Sequence, residues 1–382
     1  MKPTLAIAAL VTLGLMAGCA GKVDSENAPR ELQDITHSTT VDTLWDEQIG
    51  DGLGLGGYSL APAQDGDTLF AADHQGLIKA INADNGEVLW ETRLDSAASS
   101  ALTAVADHVF LGTRNGEILA LDQGSGEEVW RSRVSSEVLS APQVNNRLVV
   151  VQTIDGKVTA LDRRSGAERW VYSTSQPALT LRSTGTPRTI DAVTFAGLAN
   201  GSLVTLDNGS GRALWERRIA APQGRSDIDR MVDLAGQPVL TPDGRLFVTS
   251  YNGRLAALQA TSGQGLWARD ISSYHTPVLV GETLYVVDAD SHLVALSATD
   301  GREKWRMAEL ANRQLSAPAF ADGRLVVGDM EGYVHFIDAR DGKLVGREEI
   351  DGSGISVRPL TDGKRVYALA DDGSLEALEL NP

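Results

Sequence analysis

The fold is decided by the stretch AINADNGEVLW, residues 80–90, because similar stretches recur along the whole chain. A small residue opens each copy, a glycine stands six places later, and a tryptophan stands four places after the glycine. The other copies are ALDQGSGEEVW (120–130), ALDRRSGAERW (160–170), TLDNGSGRALW (205–215), ALQATSGQGLW (257–267) and ALSATDGREKW (295–305). A seventh copy, FIDARDGKLVG (336–346), ends on Gly346 where the others have tryptophan.

The spacing of these copies predicts a β-propeller. Successive tryptophans lie 38 to 52 residues apart, which matches the period of about 40–45 residues for a four-stranded propeller blade. Short runs of strand-forming residues between them, such as residues 324–328 and 333–337, are separated by Asp-Gly or Asn-Gly turns. The repeated glycine suits a turn with positive φ between the third and fourth strands. The tryptophan, on the fourth strand, is expected to pack against the adjacent blade.

The two ends of the chain predict how the ring closes. Residues 377–379 begin an eighth motif that the C-terminus leaves unfinished, and the missing tryptophan strand stands at the other end, around Trp45. The N-terminal strand is therefore expected to complete the last blade, which removes two free sheet edges. The prediction is an all-β, eight-bladed propeller over residues 43–382. Its structural docking residues would be the seven tryptophans, Trp45, Trp90, Trp130, Trp170, Trp215, Trp267 and Trp305.

Composition narrows the function class. The formal net charge is −17 and the isoelectric point is near 4.8, whereas nucleic-acid binding needs clustered Lys and Arg. Nucleic acid is therefore excluded as a partner; simple solubility explains the charge, with a basic protein partner as the alternative. The six histidines have no metal-ligand spacing, so we expect no metal and no cofactor.

The N-terminus carries an export signal. Lys2 precedes an apolar run over residues 5–15 that is too short to span a bilayer. The run ends in LMAGC, and this closely resembles the bacterial lipoprotein signal, in which the cysteine is lipidated; an ordinary signal peptide is the alternative. We expect a signal peptide over residues 1–18, lipidated Cys19, and a flexible tether over residues 19–42. Ala20 in place of aspartate implies the outer membrane, with the protein on its periplasmic face.

The repeat resembles the tryptophan-docking motif of quinoprotein (PQQ) propellers, which two families of different class carry. One family is the PQQ-dependent dehydrogenases, which bind quinone and calcium with an adjacent cysteine pair on a much longer chain. The other is the BamB family, propeller lipoproteins of the outer-membrane β-barrel assembly machinery. Since Cys19 is the only cysteine, the sequence favours the second family and a non-catalytic scaffold, with a dehydrogenase-like propeller as the alternative.

The BamB resemblance also implies where a partner binds. Residues 179–182 resemble the family's Leu-x-Leu-Arg segment, and residues 227–233 resemble its Ile-Asp-Arg-x-x-Asp segment. In that family both segments contact the periplasmic domains of the central barrel-assembly protein. In the family a second acidic residue stands two places after the last aspartate of this segment, and here that position is Ala235. The implied partner-binding residues are Leu179, Leu181, Arg182, Asp227, Asp229, Arg230 and Asp233; unfolded outer-membrane proteins are a further candidate partner, and the propeller itself is expected to be monomeric.

Loop length points to the same segments without the family. The distance from each tryptophan to the proline that opens the next blade is greatest from Trp215 to Pro238, and Trp170 to Pro187 is also long. The intervening loops join consecutive blades, so they are expected to lie side by side on one face. Loops held on a rigid scaffold are common binding sites. Trp45 to Pro62 is a third lengthened loop on that face.

Overall fold

The computed structural model describes residues 28–35, 39–105, 107–181 and 185–381, and these form a ring of eight antiparallel four-stranded sheets. The predicted all-β, eight-bladed propeller is confirmed. None of the described residues forms a helix with the length and hydrophobicity that crossing a membrane requires.

Each blade runs from an inner strand beside the ring axis to an outer strand at the rim. The first strand, β1 (Thr40–Gln48), belongs to the last blade. In chain order, blades 1 to 4 are β2 (Ala63–Asp65), β3 (Thr68–Ala72), β4 (Leu77–Asn82), β5 (Val88–Arg93); β6 (Thr103–Val105), β7 (His108–Gly112), β8 (Glu117–Asp122), β9 (Glu128–Arg133); β10 (Gln143–Val144), β11 (Leu148–Gln152), β12 (Val158–Asp162), β13 (Glu168–Tyr172); and β14 (Arg188–Thr189), β15 (Val193–Gly197), β16 (Ser202–Asp207), β17 (Ala213–Arg218).

Blades 5 to 8 follow the same plan. They are β18 (Val239–Leu240), β19 (Arg245–Val248), β20 (Leu255–Gln259), β21 (Gly265–Arg269); β22 (Val278–Val280), β23 (Thr283–Val287), β24 (Leu293–Ser297), β25 (Glu303–Met307); β26 (Ala319–Ala321), β27 (Arg324–Gly328), β28 (Tyr333–Asp338), β29 (Leu344–Glu349); and β30 (Leu360–Asp362), β31 (Arg365–Leu369), β32 (Ser374–Asn381), completed by β1.

The core lies between neighbouring blades. The two middle strands of a blade are covered on both faces, which is why a strand such as β11, LVVVQ, is buried throughout. Between blades 3 and 4, for example, Val150 and Val158 pack in one cluster with Val204 and Leu206. Apolar contact between sheets, rather than a single central core, therefore holds the ring together.

Tryptophan docking joins seven of the eight pairs of adjacent blades. The indole N–H of each tryptophan donates to a carbonyl in the turn between the third and fourth strands of the next blade, at 2.7–3.2 Å. The glycine of that turn lies under the ring: a Cβ on Gly166 would stand 2.6 Å from Trp130. All seven motif glycines also have φ between 67° and 76°. The glycine thus serves both the turn and the docked ring.

The ring closes as predicted, with β1 as the outer strand of blade 8. β1 pairs antiparallel with β32, from Thr40 opposite Asn381 to Gln48 opposite Ser374. The closing strand begins at Thr40, three residues before the expected start of the propeller at residue 43. Blade 8 is therefore assembled from both ends of the chain.

Residues 28–35, which fall within the expected flexible tether, are held against the ring. The amide of Arg30 donates to the carbonyl of Ala311, and Arg313 donates back to the carbonyl of Arg30 at 2.9 Å. Leu32 packs on the apolar cluster between blades 6 and 7. We call residues 28–35 the strap. Cys19 and the rest of the expected signal lie outside the described residues.

Candidate functional site

Two long loops on one face of the ring form the candidate site. They are the connection from Tyr172 to Arg188, between blades 3 and 4, and the connection from Arg218 to Val239, between blades 4 and 5. They are the two longest connections between successive strands. We call them together the two-loop surface.

The two loops are bonded to each other. The amide of Leu181 donates to the Asp233 carboxylate at 3.1 Å, and the amide of Thr186 donates to the carbonyl of Ala235 at 3.3 Å. Gly185 lies so close to the carbonyl of Leu234 that a Cβ there would stand 2.7 Å from the oxygen. The loops therefore form one continuous surface, as their position in consecutive blades implied.

Asp233 has a different environment from the one expected of a partner-binding charge. Its side chain is buried, and one carboxylate oxygen has no hydrogen-bond partner among the described residues. Burial raises the pKa of the Asp233 carboxyl to about 6, since no cation among the described residues offsets the loss of water. Asp233 therefore supports the neighbouring loop through Leu181 and presents no charge at the surface.

Asp229 is exposed, but its carboxylate serves its own loop. It accepts hydrogen bonds from the amides of Ser226 and Arg225, while the Ser226 hydroxyl accepts from the amide of Asp229. These bonds, led by those from Ser226, hold the pKa of Asp229 below its usual value. Asp229 thus fixes a tight turn that displays the residues beside it.

The residues that are exposed on the two-loop surface are partly those predicted. Leu179 is 45% exposed, and Asp227 and Arg230 are exposed too. Leu181 is half-buried, and Arg182 lies outside the described residues. The most exposed large apolar side chain of the two loops is Ile228, at 61%. The sequence analysis did not select Ile228 because it stands between two aspartates. Its only sequence signal was its place within residues 227–233, the segment that resembles the family's.

A neighbouring turn adds one more apolar side chain. Ile154, in the turn between β11 and β12, is 43% exposed and lines a cleft of about 340 Å³ together with Leu181 and Asp233. The unpartnered oxygen of Gln152 belongs to a residue of the same cleft. Exposed apolar side chains beside oriented charges are the usual anatomy of a protein–protein interface.

Acidic side chains elsewhere have structural roles. In the repeated turns, carboxylates such as those of Asp122 and Asp162 accept amides two and three residues ahead. On blade 6, Asp288 and Asp290 lie close enough to His292 to share a cation. However, Asp288 caps the amide of His292 and is paired with Arg306 at 2.8 Å. This group therefore has the bonds of an ordinary capped turn.

Comparison with known proteins identifies the family. The family model described as outer membrane protein assembly factor BamB matches residues 36–123, 98–307 and 289–381. The chain belongs to the BamB family. It is 48% identical to the outer membrane protein assembly factor BamB of Pseudomonas aeruginosa, with 97% of each chain covered, and 33% identical to that of Escherichia coli, with 98% of each covered.

Solved structures agree on the fold. The crystal structure of BamB from Moraxella catarrhalis superposes with a TM-score of 0.81 at 24% identity, covering 89% of this chain and all of that one. A europium-containing methanol dehydrogenase reaches a TM-score of 0.73 at 14% identity, covering 88% of this chain and 84% of that one. At these identities the likenesses show the propeller alone, because one fold hosts many activities.

Proposed function

We propose that this BamB-family chain is a non-catalytic scaffold of the machinery that assembles β-barrel proteins in the outer membrane. In this proposal it binds the periplasmic domains of the central assembly protein through the two-loop surface. Lipid on Cys19 anchors it to the periplasmic side of the outer membrane. The relatives' shared name, assembly factor, supports this function, as does the lipoprotein-like signal before the ring.

The observation that carries the proposal is the pair of exposed apolar side chains, Leu179 and Ile228, on two loops that hydrogen bonds join to each other. Buried hydrogen bonds fix these loops from below, through Asp233 to Leu181 and through the amide of Tyr251 to the carbonyl of Asp233. Little conformational entropy is then lost when a partner covers them. Asp227 and Arg230, and Arg182 in the proposal, would lie at the polar rim and orient the partner.

The test is a pair of matched double variants in the full-length protein. Leu179→Ala with Ile228→Ala should weaken binding to the central assembly protein about thirtyfold, because truncating a buried interface anchor commonly costs about 2 kcal/mol. The melting temperature should hardly change, since both side chains are exposed. Binding is measured by surface plasmon resonance on the immobilised periplasmic domains.

The control uses side chains of similar exposure on the rim. Leu214→Ala with Leu266→Ala removes two leucines that are 57% and 48% exposed on the outer strands β17 and β21. This variant should bind as the parent does. If both pairs lose binding equally, the interface lies elsewhere on the ring.

A further inference from the structure

A cavity on the ring axis is lined by one equivalent residue from every blade. Each of these residues stands two places before the first strand of its blade, and in seven blades it directly precedes a proline. The eight residues are Ala61, Ala101, Ala141, Thr186, Gln237, Thr276, Ala317 and Arg358. Seven are small or neutral, and the eighth is an arginine.

Arg358 carries the only charge among the described residues of the cavity wall. The one other titratable base there is His275, and burial lowers its pKa to about 4, so its ring is neutral near pH 7. No carboxylate lines the cavity in the part of the chain that the structure describes. The electrostatic character of this space is therefore set by one guanidinium group.

The guanidinium of Arg358 has no compensating partner in the part of the chain that the structure describes. Across residues 28–35, 39–105, 107–181 and 185–381, no hydrogen bond or ion pair reaches it. The side chain is exposed to the channel, and the protein around it lowers its pKa, with no acidic group among the described residues offsetting the effect. An arginine stays charged even so, so its guanidinium can pair with an anion that enters the channel.

We propose that the axial cavity binds a carboxylate group, which Arg358 pairs with in bidentate geometry. The planar guanidinium matches a carboxylate with two parallel N–H···O bonds. One positive charge balances one carboxylate, whereas a phosphate dianion would leave an uncompensated charge inside a chain whose net charge is −17.

The size of the cavity limits the ligand. Its volume of about 410 Å³ lies at the lower end of the range of roughly 300–1,000 Å³ typical of small-molecule sites. It admits a small organic acid or the last residues of a peptide with a free C-terminus. The cavity shares Thr186 and residues 235–237 with the two loops, but Arg358 lies outside them, and the inference does not depend on the proposed partner.

Ala235 bears on the occupant, since it lines this cavity rather than the outer surface. An acid at this position would bring a carboxylate into the cavity that Arg358 also lines. In this chain the position is neutral, so the cation is left for an external carboxylate.

The experiment is isothermal titration calorimetry of the whole protein, purified in detergent. Four ligands are titrated separately at equal ionic strength: N-acetyl-trialanine, its C-terminal amide, succinate and inorganic phosphate. We expect saturable one-to-one binding of carboxylates, with the amide and phosphate much weaker. If the peptide acid binds more tightly than succinate, the ligand is a peptide C-terminus; the reverse order identifies a free organic acid.

Three variants locate the binding. Arg358→Gln should weaken carboxylate binding at least about tenfold, and Ala235→Asp should weaken it too by supplying a competing carboxylate. Arg302→Gln, at an arginine that is 81% exposed on the rim, should bind as the parent does. The proposal is overturned if no carboxylate binds saturably, if the amide binds as tightly as the acid, or if Arg358→Gln leaves the affinity unchanged.

Discussion

At the scale of single residues, a docking glycine meets two requirements at once. Gly342 has φ 76°, and a Cβ there would stand 2.6 Å from the Trp305 ring. Gly323, in the same blade, has φ 79° but open space around its missing Cβ. Comparing an alanine substitution at each position therefore distinguishes the cost of backbone strain from the cost of displacing the tryptophan ring.

This pair gives a direct prediction. Gly323→Ala should destabilise the protein by about 1 kcal/mol, the usual penalty of a left-handed conformation. Gly342→Ala should cost roughly 1–3 kcal/mol more, because overpacking forces the docked ring to move. Urea unfolding followed by tryptophan fluorescence measures both. Equal losses would mean that the ring yields freely and that docking contributes little.

Asp233 predicts a pH dependence. Its pKa of about 6 in the folded protein exceeds the usual value of about 3.9 for an unfolded chain. Between these values the folded state holds a proton that the unfolded state has released, so this residue makes stability fall as pH rises from about 4 to about 6 and then level off. Asp233→Asn keeps an acceptor for the Leu181 amide and should gain on the order of 2 kcal/mol at pH 7.5.

The measurement is the difference in unfolding free energy between this variant and the parent from pH 4 to pH 8. Asp227→Asn, at an exposed carboxyl of the same loop, is the control for removing one acidic group. A difference for Asp233→Asn that does not change with pH would show that its carboxyl is not desolvated in solution.

Asp233 also shows which features of the candidate site could not be predicted from the sequence. Inside a strand, alternation tells which side chains are buried, but a loop has no such period. The sequence could place residues 227–233 on the right loop, yet it could not tell that Asp233 faces inward while Ile228 faces out. Leu179 and Leu181 differ in exposure for the same reason.

At the scale of elements, Gly346 has a structural explanation. Every docked tryptophan needs the turn between the third and fourth strands of the next blade. In blade 8 these strands are β32 and β1, which no turn connects because they come from opposite ends of the chain. The outer strand of blade 7 therefore has no turn to dock on, and Thr39 lies beside Gly346 instead, with its amide donating to the carbonyl of Val345.

The strap was beyond prediction from sequence because its bonds go mainly to backbone carbonyls, which carry no residue signature. Arg313, which holds the carbonyl of Arg30, is itself fixed by the buried Asp329 at 2.8 Å. Burial opposes ionisation of Asp329, but the bonds from His335 and Arg313 prevail and lower its pKa. A buried ion pair thus fixes where the strap crosses blade 7.

Leu32 provides a test of the strap. Leu32→Ala removes its apolar contact with blades 6 and 7, worth roughly 1 kcal/mol for a half-buried leucine. Limited proteolysis should then cut the strap several times faster while the ring resists cleavage. Glu31→Ala, at an exposed neighbour, should leave the rate unchanged. If both variants are cut alike, the backbone bonds alone hold the strap.

At the scale of the whole molecule, the fold was predictable because one motif repeats seven times and its halves meet at the ends of the chain. Each repeat needs its neighbours to bury its sheet faces, so closure of the ring is part of its stability. Among the eight described blades, only blade 8 has an outer strand that no turn connects to its neighbour: β1 pairs with β32 from the other end of the chain.

Closure can be tested by moving β1 rather than only removing it. Because Thr40 pairs with Asn381, a short Asn-Gly linker can join the C-terminus to residue 40 and open the chain after residue 49. This circular permutant should unfold cooperatively, with a melting temperature near that of a parent lacking residues 1–39, because its eight sheets are unchanged.

Deleting residues 40–48 from that parent should instead leave β32 as a free edge, with broadened unfolding and aggregation on mild heating. Calorimetry and light scattering distinguish them; a deletion variant that melts like the permutant would mean that seven blades and three strands close by themselves.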